Sequence, residues 1–188
     1  MNKRELRDSM AKLKRACGNE LKEKQSAWIA AQLETHTLFQ RAHVVLLYSA
    51  LPDEPQLEVL FNRWHGVKRL LLPVVEGDDL KLREFEGWNS VKAGRFGVLE
   101  PVGPFYEDFL SIDLMILPGV AFDYVGHRMG RGKGYYDRFL SLSAIRPVYK
   151  IGVCFDFQLL PQIPVDAWDV PMDEVIAGNG ERYMKKMQ

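Results

Sequence analysis

The stretch His43–Val75, "HVVLLYSALPDEPQLEVLFNRWHGVKRLLLPVV", decides the fold. Its first part, His43 to Ala50, is short, continuous and β-branched, as expected of a strand buried on both faces. "EPQLEVLFNRW" follows, with Leu57, Leu60, Phe61 and Trp64 at helical spacing and Pro55 suited to a first turn. "VKRLLLPVV" is then a second buried strand, and "DDLKLREF" alternates like part of an edge hairpin.

The alternation continues outward. "DLMILPGVAFD" predicts a third buried strand ending at Leu117, with a turn at Pro118 and Gly119. Tyr135 to Ser143 reads as a helix, "VYKIGVCF" as a strand and "DEVIA" as a last short one. Upstream, Leu6, Met10, Leu13 and Cys17 recur at helical spacing, with Lys3, Arg7 and Lys14 on a neighbouring polar face. A second helix is expected over Glu20 to Phe39, with Leu21, Trp28, Ile29 and Leu33 facing inward. Strands alternating with helices imply an α/β fold of three layers, a mostly parallel sheet with helices on both faces in the Rossmann-like manner. No linker or repeat divides it, so one domain is expected over 1–188.

Composition narrows function. At 188 residues and 47% hydrophobic content the chain can bury a substantial core. Lys+Arg and Asp+Glu both count 25, which argues against a general nucleic-acid or membrane-surface binder. Cys17 and Cys154 are the only cysteines and have no metal-ligand spacing. With no apolar leader or membrane-length run, the expectation is a cytoplasmic protein with free thiols.

Any functional positive field must then be local, and it is concentrated in "GHRMGRGKGYYDRFL", Gly126–Leu140. The P-loop pattern fails there, because His127 and Gly134 stand where it needs Gly and Ser or Thr. The dinucleotide fingerprint fails at Tyr135. Yet Gly130, Gly132 and Gly134 allow close backbone approach to an anion, Arg128, Arg131 and Lys133 add full charges, and the loop feeds a helix N-terminus. Asp137 is out of place among cations unless magnesium bridges it to phosphates. A solvated basic loop and an RNA-binding segment remain alternatives. In open α/β sheets ligands bind beyond the carboxyl ends of the strands, where Asp53 and Glu54, residues 123–137 and Asp156 are all placed.

"LPGVAFDYVGHRMGRGKGYYDRFL" resembles the signature of the 5-formyltetrahydrofolate cyclo-ligase (methenyltetrahydrofolate synthetase) family. "KRELR" at Lys3–Arg7, "DEPQLEVL", "FGVLEP" and "VPMDEVI" extend the resemblance over nearly the whole chain. It implies an ATP- and magnesium-dependent enzyme that closes 5-formyltetrahydrofolate to 5,10-methenyltetrahydrofolate, with ADP and phosphate released through a phosphorylated formyl group. It implies ATP contacts from Lys3, Arg4, Arg7, Arg128, Gly130, Arg131, Gly132, Lys133, Gly134, Tyr135 and Tyr136, with Arg131 and Lys133 acting on the transferred phosphoryl group. Folate contacts are implied for Glu54, Tyr135 and Phe96, with Tyr136 packing under the loop. The metal is implied on Asp137 and Asp169, with Asp166 and Asp173 as competing choices for the second acid. The partners expected are small molecules alone, with no nucleic acid or membrane, for a monomer. Another ATP-activated small substrate, or nucleotide binding without chemistry, are the rival readings.

Overall fold

Branched apolar residues in unbroken runs form the centre of a computed structural model that describes residues 1–94 and 97–184. Its strands are β1 Val44–Leu46, β2 Arg69–Glu76, β3 Asp79–Glu84, β4 Val91–Ala93, β5 Leu99–Pro101, β6 Leu114–Pro118, β7 Ala121–Asp123, β8 Arg128–Met129, β9 Tyr149–Cys154, β10 Leu159–Leu160, β11 Glu174–Ala177 and β12 Arg182–Met184. Seven of them make the main sheet, in the order β12-β11-β9-β6-β1-β2-β3. The run from β11 to β2 is parallel, and the two edge strands, β12 and β3, are antiparallel. The α/β class read from the sequence is the one observed.

Strand periodicity divides the core into two faces. Val45, Leu70, Leu72, Ile116, Ile151 and Ile176 pack against helices α2 (Asn19–Thr35), α3 (Thr37–Arg41) and α4 (Glu58–Trp64) through Ile29, Leu33, Phe39, Leu60 and Phe61. Their neighbours Leu46, Leu71, Met115, Leu117, Cys154 and Val175 face the other way, onto Phe139 and Leu140 of α5 (Tyr135–Leu140) and Ile145. Each such side chain, fully buried, contributes roughly 1.5–3 kcal/mol through removal from water. The expected three layers are therefore present. No helix among the described residues is long and apolar enough to cross a membrane.

Several local expectations shift. The helix expected over Glu20–Phe39 is two helices, because His36 turns extended (φ −70°, ψ 129°) and its Nδ1 accepts the Leu38 N–H at 3.1 Å, capping α3. Leu21 is 46% exposed rather than inward. Helix α4 begins at Glu58, three residues beyond Pro55, which lies before the helix instead of in its first turn. Helix α5 ends at Leu140, and β1 is only three residues long. Helix α1 (Lys3–Ala16) buries Leu6, Met10 and Lys14, whereas Leu13 is 42% exposed and Cys17 is its C-cap. The seam thus runs at a strict four-residue step, with a lysine on it.

Two features position the site. The chain leaves β1 toward β2 on one side of the sheet, and leaves β6 toward β9 and β11 on the other. Since β1 and β6 are adjacent, the topological switch lies between their carboxyl ends, where open α/β sheets form a crevice. Over that end sits a small sheet, β10-β7-β8, on which α1 docks by packing Leu6 and Met10 against Val120, Ala121, Met129 and Ile163.

Candidate active site

Helix α1 brings three cations to this crevice. Its N-terminus is closed by a capping box, in which Asn2 accepts the Glu5 N–H and the Asn2 N–H donates to the Glu5 carboxylate. Arg7, one turn beyond Lys3, donates from Nε to the Gly130 carbonyl at 2.9 Å, which fixes the helix to the glycine loop. Lys3 Nζ reaches Asp166 at 2.7 Å and Asp169 at 2.5 Å. Burial works against the Lys3 charge, but the two aspartates outweigh it and hold its pKa above the ordinary lysine value. Arg4 is exposed and has no ion pair among the described residues.

The loop after β1 supplies two carboxylates to a single arginine. Arg131 donates from Nη2 to Asp53 Oδ1 at 2.5 Å and to Glu54 Oε1 at 3.0 Å, and from Nε to Glu54 Oε1 at 3.2 Å. Glu54 is buried, and its Oε2 accepts the Leu51 N–H at 3.1 Å. Behind them Lys14 Nζ lies 3.2 Å from Asp53 Oδ2. Burial lowers the Lys14 pKa. The Asp53 carboxyl, which burial alone would raise, is held below the ordinary carboxylate range by Lys14 and then Arg131. Arg131 itself is raised, since Glu54 and Asp53 overcome its desolvation.

The glycine loop runs between these groups. Gly132 (φ 93°) and Gly134 (φ 71°) occupy left-handed backbone, and a Cβ on Gly132 would sit 3.3 Å from the Arg7 guanidinium. Gly130 has no left-handed φ, and its carbonyl is the acceptor for Arg7. Lys133 is exposed, its ammonium without an ion pair among the described residues. Helix α5, which the loop feeds, has six residues, so its terminal dipole adds little to the positive field.

Arg128 is buried and fixed by its partners. It is 4% exposed, donates from Nη2 to Asp137 Oδ1 at 2.8 Å and from Nη1 to the Pro118 carbonyl at 3.3 Å, and lies over the Tyr136 ring at 5.2 Å. Here an arginine is spent on holding Asp137 and the loop. Tyr136 packs against the core cluster that contains Phe139 and Leu140, with its phenol pushed up by burial. Tyr135 is partly buried, with the Arg138 guanidinium 5.4 Å from its ring centre.

The acids expected to share a metal have separate cations: Asp137 pairs with Arg128, and Asp169 with Lys3. Asp166 also reaches Lys3, and its own N–H donates to Asp169 Oδ2 at 2.8 Å. Asp173 is removed from the choice, because it accepts the Lys150 N–H at 2.8 Å beside the start of β9, at the amino end of the parallel strands. Among the described residues no three His, Cys, Asp or Glu side chains gather as a metal cage. Phe96 lies outside the described residues.

Two cavities adjoin the loop that follows β1. One, of about 240 Å³, is lined by Arg7, Asp8, Ala11, Lys14, Asp53, Val120 and Arg131. The other, of about 220 Å³, has an apolar and aromatic wall of Tyr48, Leu57, Phe61, Leu72 and Trp88, with Ser49, Gln56 and Glu58 as polar groups. Tyr48–Ala50 and Gln56–Glu58 line the second cavity and Asp53 lines the first, so one loop serves both. Sequence reading placed Asp53 at the carboxyl end of a strand without giving it a role, and missed Lys14 and Trp88. Lys14 had a legible signal, its four-residue register with Leu6 and Met10; Trp88, in a 3-10 turn at Trp88–Ser90, had none.

Comparison with known proteins identifies the family and the fold. The model of the 5-formyltetrahydrofolate cyclo-ligase family matches residues 1–178. The 5-formyltetrahydrofolate cyclo-ligase of Mus musculus is 28% identical over 93% of this chain and 92% of its own, and that of Escherichia coli K12 27% identical over 87% and 93%. In three dimensions the 5,10-methenyltetrahydrofolate synthetase of Aquifex aeolicus superposes with a TM-score of 0.86 at 32% identity, covering 100% of this chain and 95% of that one. The Mycoplasma pneumoniae synthetase gives 0.75 at 25% identity, over 94% and 98%. With the sheet order, the glycine loop and these matches in agreement, the chain belongs to the 5-formyltetrahydrofolate cyclo-ligase family.

Proposed function

We propose that this protein uses ATP and magnesium to convert 5-formyltetrahydrofolate into 5,10-methenyltetrahydrofolate, releasing ADP and phosphate. The observation that carries the reading is the pair of cavities sharing the loop after β1, one basic and one aromatic, in a member of this family. A triphosphate suits the cavity with Arg7, Lys14 and Arg131. A planar pterin suits the wall of Tyr48, Phe61 and Trp88, and Glu54, in the loop between the two sets of lining residues, accepts its N–H groups.

An amide oxygen is a poor leaving group, so ring closure needs it activated. In the proposed reaction the formyl oxygen attacks the γ-phosphorus and ADP departs. The neighbouring folate nitrogen then attacks the formyl carbon and loses its proton, and the oxygen leaves as phosphate. Such transfer depends on positioning and on charge stabilisation rather than on a protein nucleophile. Arg131 and Lys133 stabilise the transferring group, Lys3 and Arg7 hold the remaining phosphates, and the backbone of Gly130, Gly132 and Gly134 allows close approach.

Asp137 and Asp169 fit a magnesium ion that arrives with the nucleotide. Each gives one oxygen to a cation, Oδ1 of Asp137 to Arg128 and Oδ2 of Asp169 to Lys3, which leaves a second hard oxygen for a metal completed by phosphate oxygens. When bound, magnesium neutralises phosphate charge. The whole chain, 1–188, acts as one unit on these small molecules.

The direct test follows near-ultraviolet absorbance of the methenyl product with 5-formyltetrahydrofolate, ATP and magnesium. Product that forms only with ATP is expected, and its absence would sink the reading. Asp137→Asn tests the metal assignment. Its magnesium requirement should rise by roughly tenfold at fixed ATP, the size of one lost charge-assisted contact. Loss of activity equally at all magnesium concentrations would show instead that Asp137 acts only as the partner of Arg128.

A further inference from the structure

Arg131 stands at the junction of the two proposed substrates, yet both its carboxylate partners cannot serve it throughout the reaction. If Glu54 accepts the pterin N–H groups, as proposed above, it must share or give up its contacts to Arg131 at 3.0 and 3.2 Å. Asp53, adjacent in sequence, has its own contact to the same Nη2 at 2.5 Å. Of the two acids only Asp53 lines the basic cavity, which places its contact to Arg131 on the nucleotide side of the loop.

We propose that Asp53 and Lys14 are positioning residues, which keep Arg131 at the phosphate site while Glu54 is engaged by the folate. Glu54 accepts from Nε and Nη2 of Arg131 and Asp53 from Nη2, whereas Nη1 has no partner among the described residues. A guanidinium held along one edge presents the other to a phosphate oxygen in a fixed direction. Lys14 does for Asp53 what Asp53 does for Arg131. It is 4% exposed, and its Nζ sits 3.2 Å from the oxygen that Arg131 does not use, Oδ2. Asp53 therefore lies between two cations and keeps a compensated charge whichever way Arg131 moves. The position of Lys14 on the buried seam of α1, with Leu6 and Met10, fixes this support to the same helix that carries Lys3 and Arg7.

The consequence is a dependence of nucleotide affinity on the second substrate. In Asp53→Asn without folate, Glu54 still holds Arg131, and binding of a non-hydrolysable ATP analogue with magnesium, measured by calorimetry beside wild type, gives the reference affinity of the variant. With saturating 5-formyltetrahydrofolate the hold is lost, and affinity for the analogue should fall on the order of tenfold, as for one charge-assisted hydrogen bond. Asp53→Glu should recover part of this. Lys14→Met, which keeps length without charge, removes a cation of the basic cavity and lowers affinity for the analogue by itself; it should show the same further fall when folate is added, and it carries the test if Asp53→Asn does not fold. An equal loss with and without folate would mean a general structural role, and no loss in either would mean no role; both overturn the proposal. The inference rests on the proposed reaction, and the two fail differently. A wild type without ATP-dependent product defeats the reaction, whereas an active wild type with a folate-independent Asp53→Asn defeats only the positioning.

Discussion

Arg131→Ala should lower kcat/KM for ATP by about 10²–10³, the loss seen when one preorganised donor to a developing negative charge is removed. The fold should tolerate the change much better than the reaction does. Asp53 retains Lys14 at 3.2 Å, and Glu54 retains the Leu51 N–H at 3.1 Å. Glu54 nevertheless loses the one ion-pair partner it has among the described residues, in a buried position, at a cost of roughly 1–3 kcal/mol. For a chain of this length that lowers the melting temperature by a few degrees. Arg131→Lys should rescue little, because an ammonium cannot hold two carboxylates along one edge and a phosphate along the other. Steady-state kinetics with circular-dichroism melting reads both numbers. Activity within threefold of wild type would remove Arg131 from the phosphoryl site.

The largest loss of stability is expected from Gly126→Ala, at the turn between β7 and β8. Gly126 has φ 92°, a backbone region that costs an L-residue roughly 1–2 kcal/mol. An added Cβ would also lie 2.5 Å from the Met172 carbonyl oxygen, which is backbone and cannot swing away as a side chain would. Relief would require separating the two segments, and the Met172 N–H donates to the Gly126 carbonyl at 2.8 Å. Adding about 1–3 kcal/mol for the overpacking gives about 2–5 kcal/mol in all, or a fall of roughly 5–15 °C in melting temperature. Activity at low temperature should suffer too, because the turn leads directly into Arg128 and the glycine loop. A melting temperature unchanged within 2 °C would show that the turn relaxes freely.

The layered sheet was legible because parallel strands buried on both faces leave unbroken apolar runs, as at Val44–Leu46 and Leu114–Pro118. The glycine loop was legible because its composition has no structural use at that density. What sequence patterning could not supply was how charges divide among partners. Nothing in the spacing of Arg128 and Arg131 separates a buried arginine that holds Asp137 from one that spans Asp53 and Glu54. Burial decides it, and burial comes from the β7–β8 hairpin and α1 meeting over the sheet. Lys14 was assigned to a polar face because lysine usually belongs there, and its ion pair with Asp53 is what makes the buried position tenable. The break at His36 likewise depends on a partner 138 residues away, Glu174, which no local rule contains.

The contacts of Lys3 with Asp166 and Asp169 span 163 and 166 residues. They make α1 a clasp between the two extremes of the described chain, and this has a consequence for how the protein is made. Leu6 and Met10 have their docking surface only when Ile163 and the small sheet exist. During synthesis helix α1 must therefore wait, its apolar seam uncovered, until the segment that carries Ile163 has left the ribosome. Contacts of such high sequence separation form late because their loop-closure cost comes before their reward. The sheet can assemble earlier from its neighbouring strands. The cleft thus appears late, and a nascent chain short of Asp169 has β1, β2, β6 and β9 of the main sheet without β11 and without a place for its substrates.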